Sequence, residues 1–274
     1  MKKSAEDNLN KYVDFCFDKF KVRSVSDLCI MDRDTLMELK RKVVSQIAED
    51  YSLEQATKLY GNSLYGGCSH PSCYFYNIDV AADITAEGRN ATHTMERVLT
   101  NFWVNEWHDA LDLHTMLGVK VSDNLCRMLL RDERDIIVYG DTDSLYSTYD
   151  KIIATCEGSD SWSDTRKMLF ITDINTKYLD AYNKEKLQEY YKSRNAISVH
   201  DFELETVAIS GVFVKKKKYM QRLCWKDGKD MLGHEKIKAK GIELIQSSTS
   251  RVARDIIGHV VTSILEGATE SEIR

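Results

Sequence analysis

Two carboxylates one residue apart stand in the run Tyr139-Gly140-Asp141-Thr142-Asp143-Ser144-Leu145. Like charges held that close repel, and the ordinary remedy is a divalent cation with oxygen ligands. The structural alternative is a polar turn whose Asp side chains bond nearby backbone amides. Lys58, Asn62 and Tyr65 form a second set. At positions i, i+4 and i+7 of a helix they project from one face. Ammonium, amide and ring in a row suit a ligand carrying phosphate, sugar and base. A third set is basic. Between Lys215 and Lys240 ten Lys or Arg stand against three Asp or Glu, in a chain whose net charge is −5. Such a block is a candidate tract for contact with a phosphate backbone.

These residues need elements to hold them. Ile136-Ile137-Val138 is β-branched and apolar and reads as a buried strand, and Ser144 to Tyr149 alternate as its partner. Gly-Asp-Thr-Asp between them predicts a hairpin with both carboxylates at its tip. Residues 1 to 57 read as mainly helical. Leu9, Tyr12, Val13 and Cys16 share one helix face, and a second helix begins near Asp32 with Leu36, Leu39, Val43, Val44 and Ile47 on its apolar side. Its Lys40-Arg41-Lys42 cluster reads as a solvated face. Gly66-Gly67 would stop the helix carrying Lys58. Residues 89 to 118 read as the longest helical segment, with Val98, Leu99, Phe102, Trp103, Trp107 and Leu111 inward and Gly118 at its end. A further amphipathic stretch, 165 to 195, turns Met168, Ile171, Ile174, Tyr178, Leu179 and Tyr182 inward. Phe202 to Val207 alternate like a strand with Glu203 and Glu205 on one face. Tyr219 to Leu223 form another strand, and Asp227-Gly228 a hairpin turn. From Ser247 a helix runs through Val252, Ile256, Ile257, Val260, Val261 and Ile264.

Composition sets the class. The 274 residues are 43% hydrophobic and 30% charged, enough for a sizeable core in one large domain or two modest ones. No apolar run nears the roughly 18 residues of a membrane span, and the first residues lead into no apolar signal segment. Seven scattered cysteines read as reduced thiols of an intracellular protein. Cys68, His70 and Cys73 offer three zinc ligands where a structural site takes four, so a turn around Pro71 is expected instead.

Taken together the motifs resemble the family B DNA polymerases, bacteriophage type. Lys58 with Asn62-Ser63-Leu64-Tyr65-Gly66 is similar to the fingers motif K-x-x-x-N-S-x-Y-G. Tyr139 to Ser144 matches the palm motif Y-G-D-T-D-S. Lys216-Lys217-Lys218-Tyr219 looks like K-K-R-Y with Lys218 in place of the arginine, and Lys236 to Glu243 with Ser247-Ser248-Thr249 resembles the palm-to-thumb segment. The resemblance implies an α+β fold: an antiparallel palm sheet with packed helices, plus a helical partial fingers segment. It implies partial fingers over 1–75, palm over 76–245 and the start of the thumb over 246–274. It also implies two-metal nucleotidyl transfer with two Mg²⁺ ions, Asp143 as main ligand, Asp141 as auxiliary carboxylate and Glu205 in a weaker role near the metals. Lys58 and Asn62 would meet the incoming dNTP, and Tyr65 would pack near the nascent base pair. Lys216, Lys217, Lys218, Tyr219, Lys238 and Gly241 would follow primer–template DNA.

The sequence also departs from the family. The first palm motif, D-x-x-S-L-Y-P-S, has no counterpart, nor has the exonuclease domain. Arg41 or Lys42 would have to stand in for the basic residues of the other fingers helix. The expectation is therefore a split polymerase subunit or fragment, working beside a polypeptide that carries the missing parts. A catalytically incomplete DNA-binding remnant is the alternative, and a metal-dependent phosphohydrolase a more distant one.

Overall fold

The computed structural model describes residues 21, 22, 24–141, 143–198, 200–242 and 249–273. Expectations for Leu9, Tyr12, Val13, Cys16, Thr142, Glu243, Ser247 and Ser248 lie outside them. The chain divides into two compact units, one through Ala86 and one from Glu87 onward. The class is α+β, with helices packed around antiparallel sheets.

In the first unit, α1 (Val25–Cys29) precedes the long helix α2 (Arg33–Ser69). Asp32 caps α2 as expected, its carboxylate accepting from the amides of Asp34 and Thr35 at 3.0 Å each. Leu39 is buried on α2, whereas Val44 and Ile47, expected on the same apolar face, are exposed. This 37-residue helix, not the 89–118 segment, is the longest. It also runs past Gly66-Gly67 to Ser69. Gly67 serves packing here: a Cβ on it would lie 2.4 Å from the Phe75 ring. The helix ends at His70, whose Nδ1 accepts from the Ser72 amide at 3.3 Å in the turn around Pro71.

Next comes α3 (Ile78–Asn101), and the path then breaks. A π turn (Phe102–Glu106) and a 3₁₀ turn (Trp107–Asp109) shift the helical phase before α4 (Leu111–Leu117). Phe102, Trp103 and Trp107 are buried as expected, but the phase shift leaves Leu111 71% exposed. Gly118 ends α4 in the left-handed conformation, φ 62°. Around the three aromatics gathers the main core, with Leu113, Leu117, Ile136, Ile152, Ile153, Phe170, Ile174 and Leu179. It is contributed largely by α4, α5 (Asp123–Leu129), α6 (Asp150–Ala154), α7 (Asp164–Ile174) and the π turn Asn175–Leu179 leading into α8 (Asp180–Lys192).

Two sheets stand in this unit. The first is the antiparallel hairpin of β1 (Ile137–Gly140) and β2 (Leu145–Ser147). The second joins β3 (Thr206–Lys215), β4 (Lys218–Lys226), β5 (Lys229–Asp230) and β6 (Lys236–Lys240), with β4 pairing all three others antiparallel. Phe202 to Glu205 precede β3 without joining its ladder, although Glu203 and Glu205 do face solvent. Asp227 and Gly228 both take positive φ, 47° and 81°, in the expected tight turn between β4 and β5. Helix α9 (Arg251–Leu265) packs Ile257, Val261, Ile264 and Leu265 against Met220 and its neighbours on the sheet. Val252 and Ile256 of the same helix are exposed, because the apolar band of α9 is wider than its contact with the sheet.

Candidate active site

The hairpin is built from below. Ile136 is fully buried in the main core, and its carbonyl accepts from the Thr148 amide at 2.8 Å. Leu145, the first residue of β2, packs on the Met95, Leu187 and Tyr191 cluster. The register steps from Ile137↔Ser147 to Tyr139↔Tyr146, so Val138 is a bulge residue and is 46% exposed, not buried as its type suggested. The bulge sets Tyr139 opposite Tyr146. Beyond them Gly140 pairs with Leu145, and the Asp141 amide donates to the Ser144 carbonyl at 2.9 Å, closing the reversal. Asp141 and Asp143 therefore occupy one tight tip, as the sequence predicted. Their surroundings differ: Asp143 is exposed, and the Asp141 side chain is 8% exposed.

An aromatic bed joins this hairpin to the larger sheet. Tyr139 stacks on Phe213 with ring centres 5.3 Å apart, and Tyr146 lies 5.3 Å from Tyr219. The Tyr146 and Tyr219 hydroxyls share a 2.8 Å hydrogen bond. Burial, followed by the Tyr219 hydroxyl, pushes the Tyr146 phenol well above its ordinary range, with a smaller contribution from the charge of Glu205. Glu205 thus stands within electrostatic reach of β2, although its own side chain is exposed.

The basic tract meets the hairpin at its turn. Lys215 pairs with Lys218, leaving Lys216 and Lys217 at the β3–β4 reversal, with Lys217 at φ 62°. Lys216 and Lys217 are exposed, and Lys218 and Lys238 half-buried. The Lys217 amide donates to the Tyr139 hydroxyl at 2.8 Å. Gly241 passes at φ 67° so close to Lys217 that a Cβ would sit 2.1 Å from its carbonyl oxygen. Tyr219 is 2% exposed, so it supports the tract from beneath, and Gly241 serves as a packing residue. Sequence reasoning passed over Lys240, whose ammonium lies 3.4 Å from Asp141 Oδ2. It also missed the ring bed of Tyr139, Tyr146 and Phe213. The signal for Lys240 was the alternation Lys236, Lys238, Lys240, which puts three lysines on one face of a strand.

Lys58, Asn62 and Tyr65 lie on α2 in the first unit, all exposed, with Lys58 paired to Glu54 at 2.6 Å. Lys42 pairs likewise with Glu38 at 2.6 Å. Among the described residues no group of three or more His, Cys, Asp or Glu is arranged to hold a metal ion. Two carboxylates on one tip still fit Mg²⁺, which binds through one or two carboxylates together with substrate phosphates rather than in an all-protein cage. No described helix is long and apolar enough to cross a membrane.

Comparison with known proteins gives a consistent picture. The family described as DNA polymerase family B matches residues 33–157, a stretch containing both the Lys58–Tyr65 set and the aspartate hairpin. The DNA-directed DNA polymerase of Escherichia phage RB69 is 24% identical over 226 residues, covering 76% of this chain and 22% of that protein. The DNA-directed DNA polymerase of Enterobacteria phage T4 is also 24% identical over 226 residues, covering 78% and 22%. DNA polymerase 037L of Invertebrate iridescent virus 6 is 26% identical over 140 residues, covering 50% of this chain and 10% of that protein. The chain spans 22% of the length of the phage relatives it matches. The aspartate hairpin and the Lys58–Tyr65 set both fall within the matched stretch, and over it this chain is similar to the family B DNA polymerases.

Proposed function

We propose that the chain is the palm-bearing part of a DNA-directed DNA polymerase, a fragment or split subunit that carries out template-directed nucleotidyl transfer inside the cell. The observation that carries this reading is the hairpin: two carboxylates on one closed tip, joined through Tyr139 to the basic turn at Lys217. Partial fingers over 1–75, palm over 76–245 and the start of the thumb over 246–274 are the division that the motif order supports.

In the reaction the primer 3′ hydroxyl attacks the α-phosphorus of a dNTP and pyrophosphate leaves. Asp143, exposed at the tip, would be the main Mg²⁺ ligand and Asp141 the second; Glu205 would add negative charge nearby. When bound, Mg²⁺ neutralises charge on the phosphates and makes the hydroxyl easier to deprotonate. Lys58 would exchange its Glu54 partner for the triphosphate, Asn62 would hydrogen-bond to it, and Tyr65 would pack near the nascent pair. Lys216, Lys217, Lys218 and Lys238 would follow the primer–template backbone, with Tyr219 and Gly241 fixing the strands that present them. A polypeptide carrying the first palm motif, and with it the exonuclease, would complete the carboxylate set.

The competing reading, a catalytically incomplete DNA-binding remnant, rests on the lack of a third metal-binding side chain beside the two aspartates among the described residues. Primer extension separates the two. In the presence of a polypeptide bearing the first palm motif, the wild-type chain should extend a primer. Asp143→Asn keeps volume and loses charge, so it should reduce extension at least tenfold while leaving DNA affinity within about twofold. Extension by Asp143→Asn near the wild-type rate would refute the polymerase assignment of this hairpin.

A further inference from the structure

The aspartate tip already carries a cation of its own. The Lys240 ammonium lies 3.4 Å from Asp141 Oδ2 and 5.9 Å from the centre of the Tyr219 ring. Its position is built into the sheet, because Lys240 stands opposite Tyr219 in the β4–β6 register. The next residue, Gly241, is pressed against the Lys217 carbonyl, and the Lys217 amide holds the Tyr139 hydroxyl. Tyr139 in turn lies two residues before Asp141. Both ends of the Lys240–Asp141 pair are thus tied through Tyr139, Lys217 and Gly241. The two partners differ in freedom: the Asp141 side chain is 8% exposed, that of Lys240 50%. The carboxylate is fixed, while the ammonium sits on a flexible stem with water on one side.

We propose that Lys240 is a positioning residue of the hairpin, an internal counter-ion that holds the Asp141 carboxylate and competes with a divalent cation for it. The inference rests on reading Asp141 and Asp143 as metal ligands. Its physical basis is charge. A dication on Asp141 would stand close to this ammonium, and at about 6 Å with water screening the half-exposed lysine the repulsion weakens binding by about tenfold. The same lysine relieves the repulsion between the two carboxylates when no metal is present, a task that the sequence alone assigned to the metal.

The test uses the full chain and Mn²⁺ as probe, with free ion counted by electron paramagnetic resonance. Lys240→Met should tighten Mn²⁺ binding about tenfold, and Lys240→Arg, which keeps the charge, should stay within about twofold of wild type. In chelator, Lys240→Met should lower the urea midpoint of the wild-type chain but not that of Asp141→Asn, a coupling that a merely structural lysine would not show. If Asp141→Asn weakens Mn²⁺ while Lys240→Met leaves it unchanged, the counter-ion role is overturned and the metal assignment stands. If neither Asp141→Asn nor Asp143→Asn changes Mn²⁺ binding, the metal assignment itself falls, and the competition with it.

Discussion

Asp135 illustrates how single side chains hold the hairpin from behind. Its carboxylate accepts from the amides of Arg131 at 2.8 Å and Asp132 at 3.2 Å and pairs with the Lys151 ammonium, just before β1 begins. The Lys151 ammonium first, and then the Arg131 amide, draw its pKa from 3.8 down to about 2. A carboxyl depressed in this way stabilises the fold above the unfolded-state pKa, and the contribution disappears as pH falls from about 4 toward 2. Asp135→Ala should therefore cost about 1–2 kcal/mol at pH 7, since two amides lose their acceptor. It should also flatten the acid limb of stability between those pH values. Urea midpoints measured across pH 2 to 7 check both statements, and an unchanged acid limb would show that other carboxylates dominate it.

At the scale of elements, the turn joining β3 and β4 is the joint between basic tract and carboxylates. Gly241→Ala would place a methyl group 2.1 Å from the Lys217 carbonyl oxygen, at a backbone conformation that L side chains rarely adopt. The expected loss is about 2–4 kcal/mol, read as a shift in urea midpoint. A drop of less than about 0.5 kcal/mol would mean that the turn slides freely. The same turn carries a binding prediction. Replacing Lys217 and Lys218 by Ala should weaken primer–template binding equally for all sequences, because phosphate contacts hold no base information. It should also lower the salt slope of binding by about one unit per lost contact. A titration across salt concentrations with the same slope as wild type would mean that these lysines meet only solvent.

At the scale of the whole molecule, the proposed polymerase reading leaves the carboxylate set to be completed by another polypeptide. The hairpin supplies two carboxylates on one tip, and the charge of Glu205 reaches Tyr146 on β2. Helix α2 adds a long surface on which Val44, Ile47, Tyr51, Leu59 and Tyr60 are all exposed. Apolar exposure of that extent favours association. The purified 274-residue chain is therefore expected to show no primer extension at saturating Mg²⁺ and dNTP. Activity should rise with the concentration of a polypeptide carrying the first palm motif. Extension by the chain alone, abolished by Asp143→Asn, would show that its own residues complete the site.

What the sequence determined by itself was local. The Asp32 cap, the left-handed Gly118, the Asp227-Gly228 turn and the aspartate hairpin are all set within a few residues by turn and capping chemistry. The placement of Lys58, Asn62 and Tyr65 on one helix face follows equally from the helical repeat. Tertiary structure decided the rest. Gly66-Gly67 reads locally as a stop, yet the helix continues because Phe75 folds back over Gly67. Leu111 reads as core until a π turn rotates it outward. Lys240 lies 99 residues from Asp141 in sequence, and only the pairing of β6 with β4 and the Tyr139–Lys217–Gly241 junction bring the two charges together. Local rules act through neighbours along the chain, whereas the charge balance at the hairpin depends on side chains that become neighbours only after the sheets have packed.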